Sequence, residues 1–188
     1  MKNREYLISI TQEIEQTISN ISEEQINYLI KEIKTAKRIF VVGTGRSFLM
    51  IKSFAMRLMQ IGFEVYVVGE IVTPSITDQD LLIIGSGSGE TNSLVSMANR
   101  AKSYNAKLAL ITIYPNSTLG QLADLIVKID APTSKNTDSL EEKTLQPGAS
   151  LFEQSLLILG DAVILNLIET INIEELNHYL MSRHANLE

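Results

Sequence analysis

Apolar positions along the first third of the chain recur with a helical period. Leu7, Ile10, Ile14 and Ile18 stand three and four residues apart among acids and amides, which predicts an amphipathic helix over 4–19. Ser22-Glu23-Glu24-Gln25 fits a capping box opening a second helix that runs to about Ala36. The rhythm then changes to five short runs rich in β-branched residues: Ile39–Val42, Val65–Val68, Leu81–Ile84, Ala109–Ile113 and Leu125–Ile129. These are continuously apolar rather than alternating, as expected of parallel strands covered on both faces. Helix-length segments at 46–60, 91–104 and near 118–123 separate most of them, and the connection Gly69 to Asp80, with Pro74, is too short for a full helix. This βαβ rhythm predicts an α/β fold with right-handed crossovers, a doubly wound parallel sheet.

Beyond the fifth strand, 130–149 is polar and holds two prolines and a glycine. A loop of that length inside a compact domain is expected to be functional or disordered. An apolar helix from Ser150 to about Thr170 and a last helix near 173–182 complete the reading. The expected organisation is one domain over 1–188: a helical arm (1–36), a parallel α/β core (38–129), the loop (130–149), then C-terminal helices and tail (150–188).

Two helices carry more apolar surface than one sheet face can cover. In 48–59 only Lys52, Ser53 and Arg57 are polar, and 156–168 is similar. Such helices must be buried all round, so subunits are expected to associate through them, with packing against the N-terminal arm as the alternative. The stretch 156–168, broken by Gly160, Asp161 and Asn166, falls short of a membrane span. The N-terminus lacks the apolar core of an export signal, and a cytoplasmic location is expected.

Composition narrows the chemistry. The 188 residues contain no cysteine, which removes disulfides, thiolate nucleophiles and thiolate metal sites. Only two histidines, His178 and His184, are present, so a histidine-rich metal centre is not expected. Sixteen basic and 22 acidic side chains give a net charge of −6, which argues against nucleic acid as a partner.

Two glycine–hydroxyl loops stand at equivalent places, each after a strand and before a helix. They are Gly43-Thr44-Gly45-Arg46-Ser47 and Gly85-Ser86-Gly87-Ser88-Gly89-Glu90-Thr91. Glycine lets a ligand approach the backbone, amides at a helix start favour an anion, and hydroxyls add donors. Neither loop holds the lysine of a Walker motif, and Phe48 stands where a dinucleotide fingerprint needs glycine. In a sheet of order 2-1-3-4-5 both loops flank the topological switch point, where ligands bind. The pair, with Thr44, Ser47, Ser86, Ser88 and Thr91, favours a phosphate-bearing small molecule over two plain tight turns. Arg46 could contact phosphate or sugar hydroxyls, or form a surface ion pair.

Among acid–base candidates, Ser150-Leu151-Phe152-Glu153 fits a second capping box, and the pattern alone leaves Glu153 as cap or as general base. Its place after a long loop, beside Leu151 and Phe152, favours the base. Glu90 is the other contender, although a carboxylate there more often caps a helix. His178 reads as a surface or packing residue.

The two loops resemble those of the sugar isomerase (SIS) family. Ala55-Met56-Arg57-Leu58, Val67-Val68-Gly69-Glu70, the segment Gln146 to Gln154 and the tail Arg183-His184-Ala185-Asn186-Leu187-Glu188 are similar to its 6-phospho-3-hexuloisomerase branch. The resemblance covers nearly the whole chain. It implies a three-layer αβα sandwich around a five-stranded, flavodoxin-like parallel sheet, and a homotetramer. It implies interconversion of D-arabino-3-hexulose 6-phosphate and D-fructose 6-phosphate through a cis-enediolate, with no cofactor and no metal. The reaction would follow 3-hexulose-6-phosphate synthase in the ribulose monophosphate route of formaldehyde fixation. Carried over by position, Gly45, Arg46, Ser47, Ser86, Ser88 and Thr91 become phosphate and sugar contacts. Glu153 becomes the base, and His184 a partner reaching a neighbouring subunit's site. The family's arabinose-5-phosphate isomerases and its non-catalytic sugar-phosphate sensors are the alternatives. The first usually carry further domains and the second a basic DNA-binding segment, for which 1–36 is too short and too acidic.

Overall fold

The computed structural model describes residues 2–133, 144–169 and 180–187. Its elements follow the order α1 (Lys2–Ser19), α2 (Glu23–Thr35), β1 (Ile39–Gly43), α3 (Gly45–Gln60), β2 (Val65–Val67), β3 (Leu81–Gly85), α4 (Asn92–Ser103), β4 (Lys107–Thr112), α5 (Thr118–Leu122), β5 (Leu125–Lys128) and α6 (Ser150–Ile168). The strands pair in parallel in the order β2-β1-β3-β4-β5, as the sequence predicts. The central strands β1 and β3 are buried at every position, which is why they read as unbroken apolar runs. At the edge, β2 is only half-buried.

Alternation along each strand divides the interior into two cores. Ile39, Val41, Leu81, Ile83, Ala109 and Ile111 face α2, α3 and α6, while Phe40, Val42, Leu82, Ile84, Leu108 and Leu110 face α4 and α5. The first core is the larger because three helices cover that face. At the N-terminal ends of β1 and β3, Arg38 donates to both carboxylate oxygens of the buried Asp80 at 3.0 and 2.7 Å.

The two apolar helices bury part of their surface within the domain, one of the two outcomes expected for them. α3 and α6 pack on each other, and α1 also lies on α6. The α3–α6 crossing is tight: a Cβ on Gly160 would meet the Phe54 ring at 3.2 Å. Leu49, Met56 and Met59 of α3 and Ile158 and Leu165 of α6 stay exposed. The helix is also longer than the 156–168 stretch. By length and composition α6 could cross a membrane, but half of it is buried inside the domain, where it is the core helix. Of the last predicted helix, 180–182 are helical, whereas 170–179, with His178, lie outside the described residues. Residues 134–143 of the polar loop lie outside them too.

Candidate active site

The sheet order reverses between β1 and β3, and the cleft opens there. Gly43 and Gly85 are register partners at the ends of these strands. A Cβ on Gly43 would stand 3.1 Å from the Gly85 carbonyl oxygen and from the Phe48 backbone, so the approach of the two loops requires glycine. From this point α3 and α4 start side by side, with Thr44 and Thr91 as N-caps. Neither threonine caps its helix through its side chain. Both threonines line the cleft beside first-turn amides that a helix leaves without internal acceptors.

The cleft encloses about 800 Å3 and is lined by all six residues expected to bind substrate: Gly45, Arg46, Ser47, Ser86, Ser88 and Thr91. Gly45 takes a left-handed φ of 57° at the mouth of the first loop. The buried Ser86 hydroxyl oxygen accepts from Gly89 N at 3.2 Å, and the Ser88 oxygen accepts from Glu90 N at 3.3 Å. Those bonds fix the two side chains while leaving each hydroxyl proton to be donated to a ligand.

Glu153 enters the same cleft from α6. The structure corrects the capping-box reading: Ala149 is the N-cap, no side chain caps the helix, and Ser150 is its first residue. The Glu153 amide makes an ordinary helical bond to the Ala149 carbonyl at 3.0 Å. Its carboxylate instead meets Arg46, with Nε at 3.0 Å from Oε2, and the same guanidinium donates to Ser150 Oγ at 3.1 Å. Arg46 thus binds the first turn of α6 to the first loop. Of the two readings offered for Arg46, the structure shows the ion pair, and its partner is the acid–base candidate.

Glu90 lines the cleft but is committed elsewhere. Its two oxygens accept from the Thr118 amide and hydroxyl, each at 2.7 Å. These bonds, the hydroxyl's foremost, hold its carboxyl below the usual glutamate range. It anchors the second loop on α5 and is poorly placed to accept a substrate proton.

His184 does not join this group in the chain that carries it. It is exposed, absent from the cleft lining, and bonds through Nδ1 to the neighbouring Ala185 carbonyl at 3.1 Å. Sequence reasoning missed Tyr114, Asn116, Ser117 and Thr133, which complete the cleft wall. The first three follow β4 at its carboxyl end, so the rule that located the glycine loops could also have found them. Among the described residues no three His, Asp or Glu side chains are grouped to hold a metal ion.

Two hydroxyl-rich loops opening side by side at the switch point of a 2-1-3-4-5 sheet define an α/β domain with a cleft suited to an anion. The SIS domain model matches residues 32–149, and the chain belongs to the SIS domain family. Within it, the chain is 46% identical to the 3-hexulose-6-phosphate isomerase of Bacillus subtilis over 188 residues, all of both chains. It is 39% identical to the enzyme of the same name from Mycobacterium gastri, covering 95% of this chain and 88% of that one. A hypothetical protein of Methanococcus jannaschii, whose crystal structure infers a molecular function of 3-hexulose-6-phosphate isomerase, superposes with a TM-score of 0.81. It is 34% identical, with 98% of this chain and 99% of that one covered.

Proposed function

We propose that this chain is an isomerase that interconverts D-arabino-3-hexulose 6-phosphate and D-fructose 6-phosphate. The observation that carries the reading is the placement of Glu153, unused by its own helix, facing two hydroxyl loops across one cleft. Full-length identity to enzymes of that name supports the choice of substrate. In this reading Ser47, Ser86, Ser88 and Thr91, with the amides at the starts of α3 and α4, hold the phosphate of the open-chain sugar. Glu153 takes the proton from C3 of fructose 6-phosphate, leaving a cis-enediolate; the O3 hydroxyl proton passes to O2, and Glu153 returns its own proton to C2, so that the carbonyl stands at C3. One carboxylate serves both adjacent carbons on one face of the sugar. Arg46, already beside the carboxylate, keeps its charge pair as negative charge passes from Glu153 to the enediolate oxygens. The anchored phosphate sets which carbons the base meets.

The assembly we propose is a homotetramer in the cytoplasm, using the exposed apolar residues of α3 and α6. His184, which does not line its own cleft, then serves a neighbouring subunit's site. The protein would act after 3-hexulose-6-phosphate synthase in the ribulose monophosphate route. The test is an assay without added metal in deuterated buffer, with fructose 6-phosphate followed by NMR. Deuterium at C3 with a 3-keto product is expected; saturable binding without exchange would make the protein a sensor.

A further inference from the structure

Glu13 is a carboxylate on α1, far along the chain from every residue of the cleft, yet it gathers three hydrogen bonds from one short segment. Its Oε1 accepts from Leu145 N at 2.9 Å, and its Oε2 accepts from Thr144 Oγ1 at 2.7 Å and Gln146 Nε2 at 3.0 Å. Gln146 is buried, with 3% of its surface exposed, so its amide is held where Glu13 can meet it. Burial alone would raise the Glu13 pKa, but the bonds from Leu145, Gln146 and Thr144 outweigh it and hold the group below its usual value. The carboxylate is therefore ionised at neutral pH.

The segment it grips leads directly into the cleft. Pro147 offers its carbonyl to Ser150 N at 3.2 Å, Gly148 turns the chain with a φ of 63°, and the Ala149 carbonyl accepts from Glu153 N. A hollow of about 280 Å3 beside Glu13 is lined by Pro132, Thr144 and Leu151, while Thr133, next to Pro132, and Ala149, two residues before Leu151, line the cleft. The same two stretches of chain thus form the wall between hollow and cleft. Apart from this grip α1 lies on α6, with Ile14 packed against the core and Thr17 its one buried residue among those described.

We infer that Glu13 is a positioning residue, through which α1 clamps 144–146 and sets the first turn of α6, and hence Glu153, against the phosphate loops. The inference rests on the isomerase reading. Its mechanism is geometric: the phosphate is held by the β1–α3 and β3–α4 loops, whereas the base arrives on α6. Releasing 144–146 moves the base relative to the anchored sugar without touching the anchor.

The experiment compares wild-type protein with Glu13→Gln, which keeps the side-chain shape but turns one acceptor oxygen into a donor facing the same donors. Turnover of fructose 6-phosphate and competitive inhibition by inorganic phosphate are measured on both. The expected result is a fall in kcat of roughly 5- to 100-fold, the range for a misplaced reactive group, with phosphate inhibition unchanged. An unchanged kcat in folded Glu13→Gln overturns the inference. Equal losses of kcat and phosphate affinity also overturn it, since they report general loosening. Should Glu13→Gln fail to fold, Thr144→Val removes the bond to Glu13 from the opposite side, together with the one the same hydroxyl accepts from Gln146 N at 3.0 Å, and is read by the same split. Wild-type protein without turnover would fail the isomerase reading itself, a separate result.

Discussion

Replacing Glu153 by Gln separates chemistry from stability, because the two effects differ in size. Arg46 Nε lies 3.0 Å from Oε2, with about half of the arginine side chain exposed and 12% of the glutamate side chain. An ion pair so open to water contributes about 1 kcal/mol at most, and an amide oxygen at the same place still accepts from Arg46. For a domain of this size that is a drop of about 2–4 °C in Tm. Starting from a stability of at least 5 kcal/mol, the variant stays almost wholly folded. The loss of a positioned base costs about 100- to 10,000-fold in rate, or roughly 3–5.5 kcal/mol of barrier. The assay follows deuterium at C3 of fructose 6-phosphate by NMR, with inorganic phosphate competition showing that the loops still bind. Exchange within about tenfold of wild type, in a variant of near-normal Tm, would refute the assignment of Glu153 as base. Glu90 would inherit the role only by giving up both Thr118 bonds.

Ser88→Ala removes a hydroxyl donor from the second loop, so KM should rise about tenfold with kcat little changed; steady-state kinetics check this. Asp80 is buried, and although burial raises its pKa, the bonds from Arg38 and Thr77 outweigh it and hold it below the usual aspartate range. Its contribution to stability is therefore full above the unfolded pKa of about 4 and is lost as pH falls through the folded value. Asp80→Asn should cost roughly 3 kcal/mol near neutral pH, measured by urea unfolding, and flatten the acid limb of the stability profile. If His184 serves a neighbouring site, Glu153→Gln and His184→Ala chains refolded together should regain turnover that neither has alone. No regain in mixed, folded assemblies would overturn the sharing of one site between chains.

What the sequence discloses about this fold is set by how local each signal is. The strands are readable because burial on both faces leaves no polar position in β1 or β3. The glycine loops are readable because strand, glycine and helix start are consecutive. The first turn of α6 was not settled by its pattern, since Ser150 and Glu153 satisfy a capping box on paper. Only the fold brings Arg46, more than a hundred residues earlier, to compete for both side chains. Tyr114, Asn116 and Ser117 escaped notice because the β4–α5 turn has no glycine to flag it. Glu13 looked like one acid among several on a solvated helix face, since its partners lie 131 to 133 residues away.

The arrangement also explains how a chain of net charge −6 can hold a phosphate dianion. Glu90 and Glu153 both line the cleft, against a single cation among its lining residues, Arg46. Bulk charge would repel the ligand, but screening limits that field to about 10 Å at ordinary ionic strength. What acts at contact range is neutral: hydroxyls of Ser47, Ser86, Ser88 and Thr91, and amides at two adjacent helix starts. Each carboxylate is matched locally, Glu90 by Thr118 and Glu153 by Arg46. In the proposed reading the phosphate is drawn to the loops rather than to the arginine, which leaves the guanidinium to the base and to the charge that develops beside it. An anchor made of neutral donors and a cation reserved for the reacting carbons are what an enediolate isomerase needs, since binding energy concentrated on the phosphate alone would not lower the barrier.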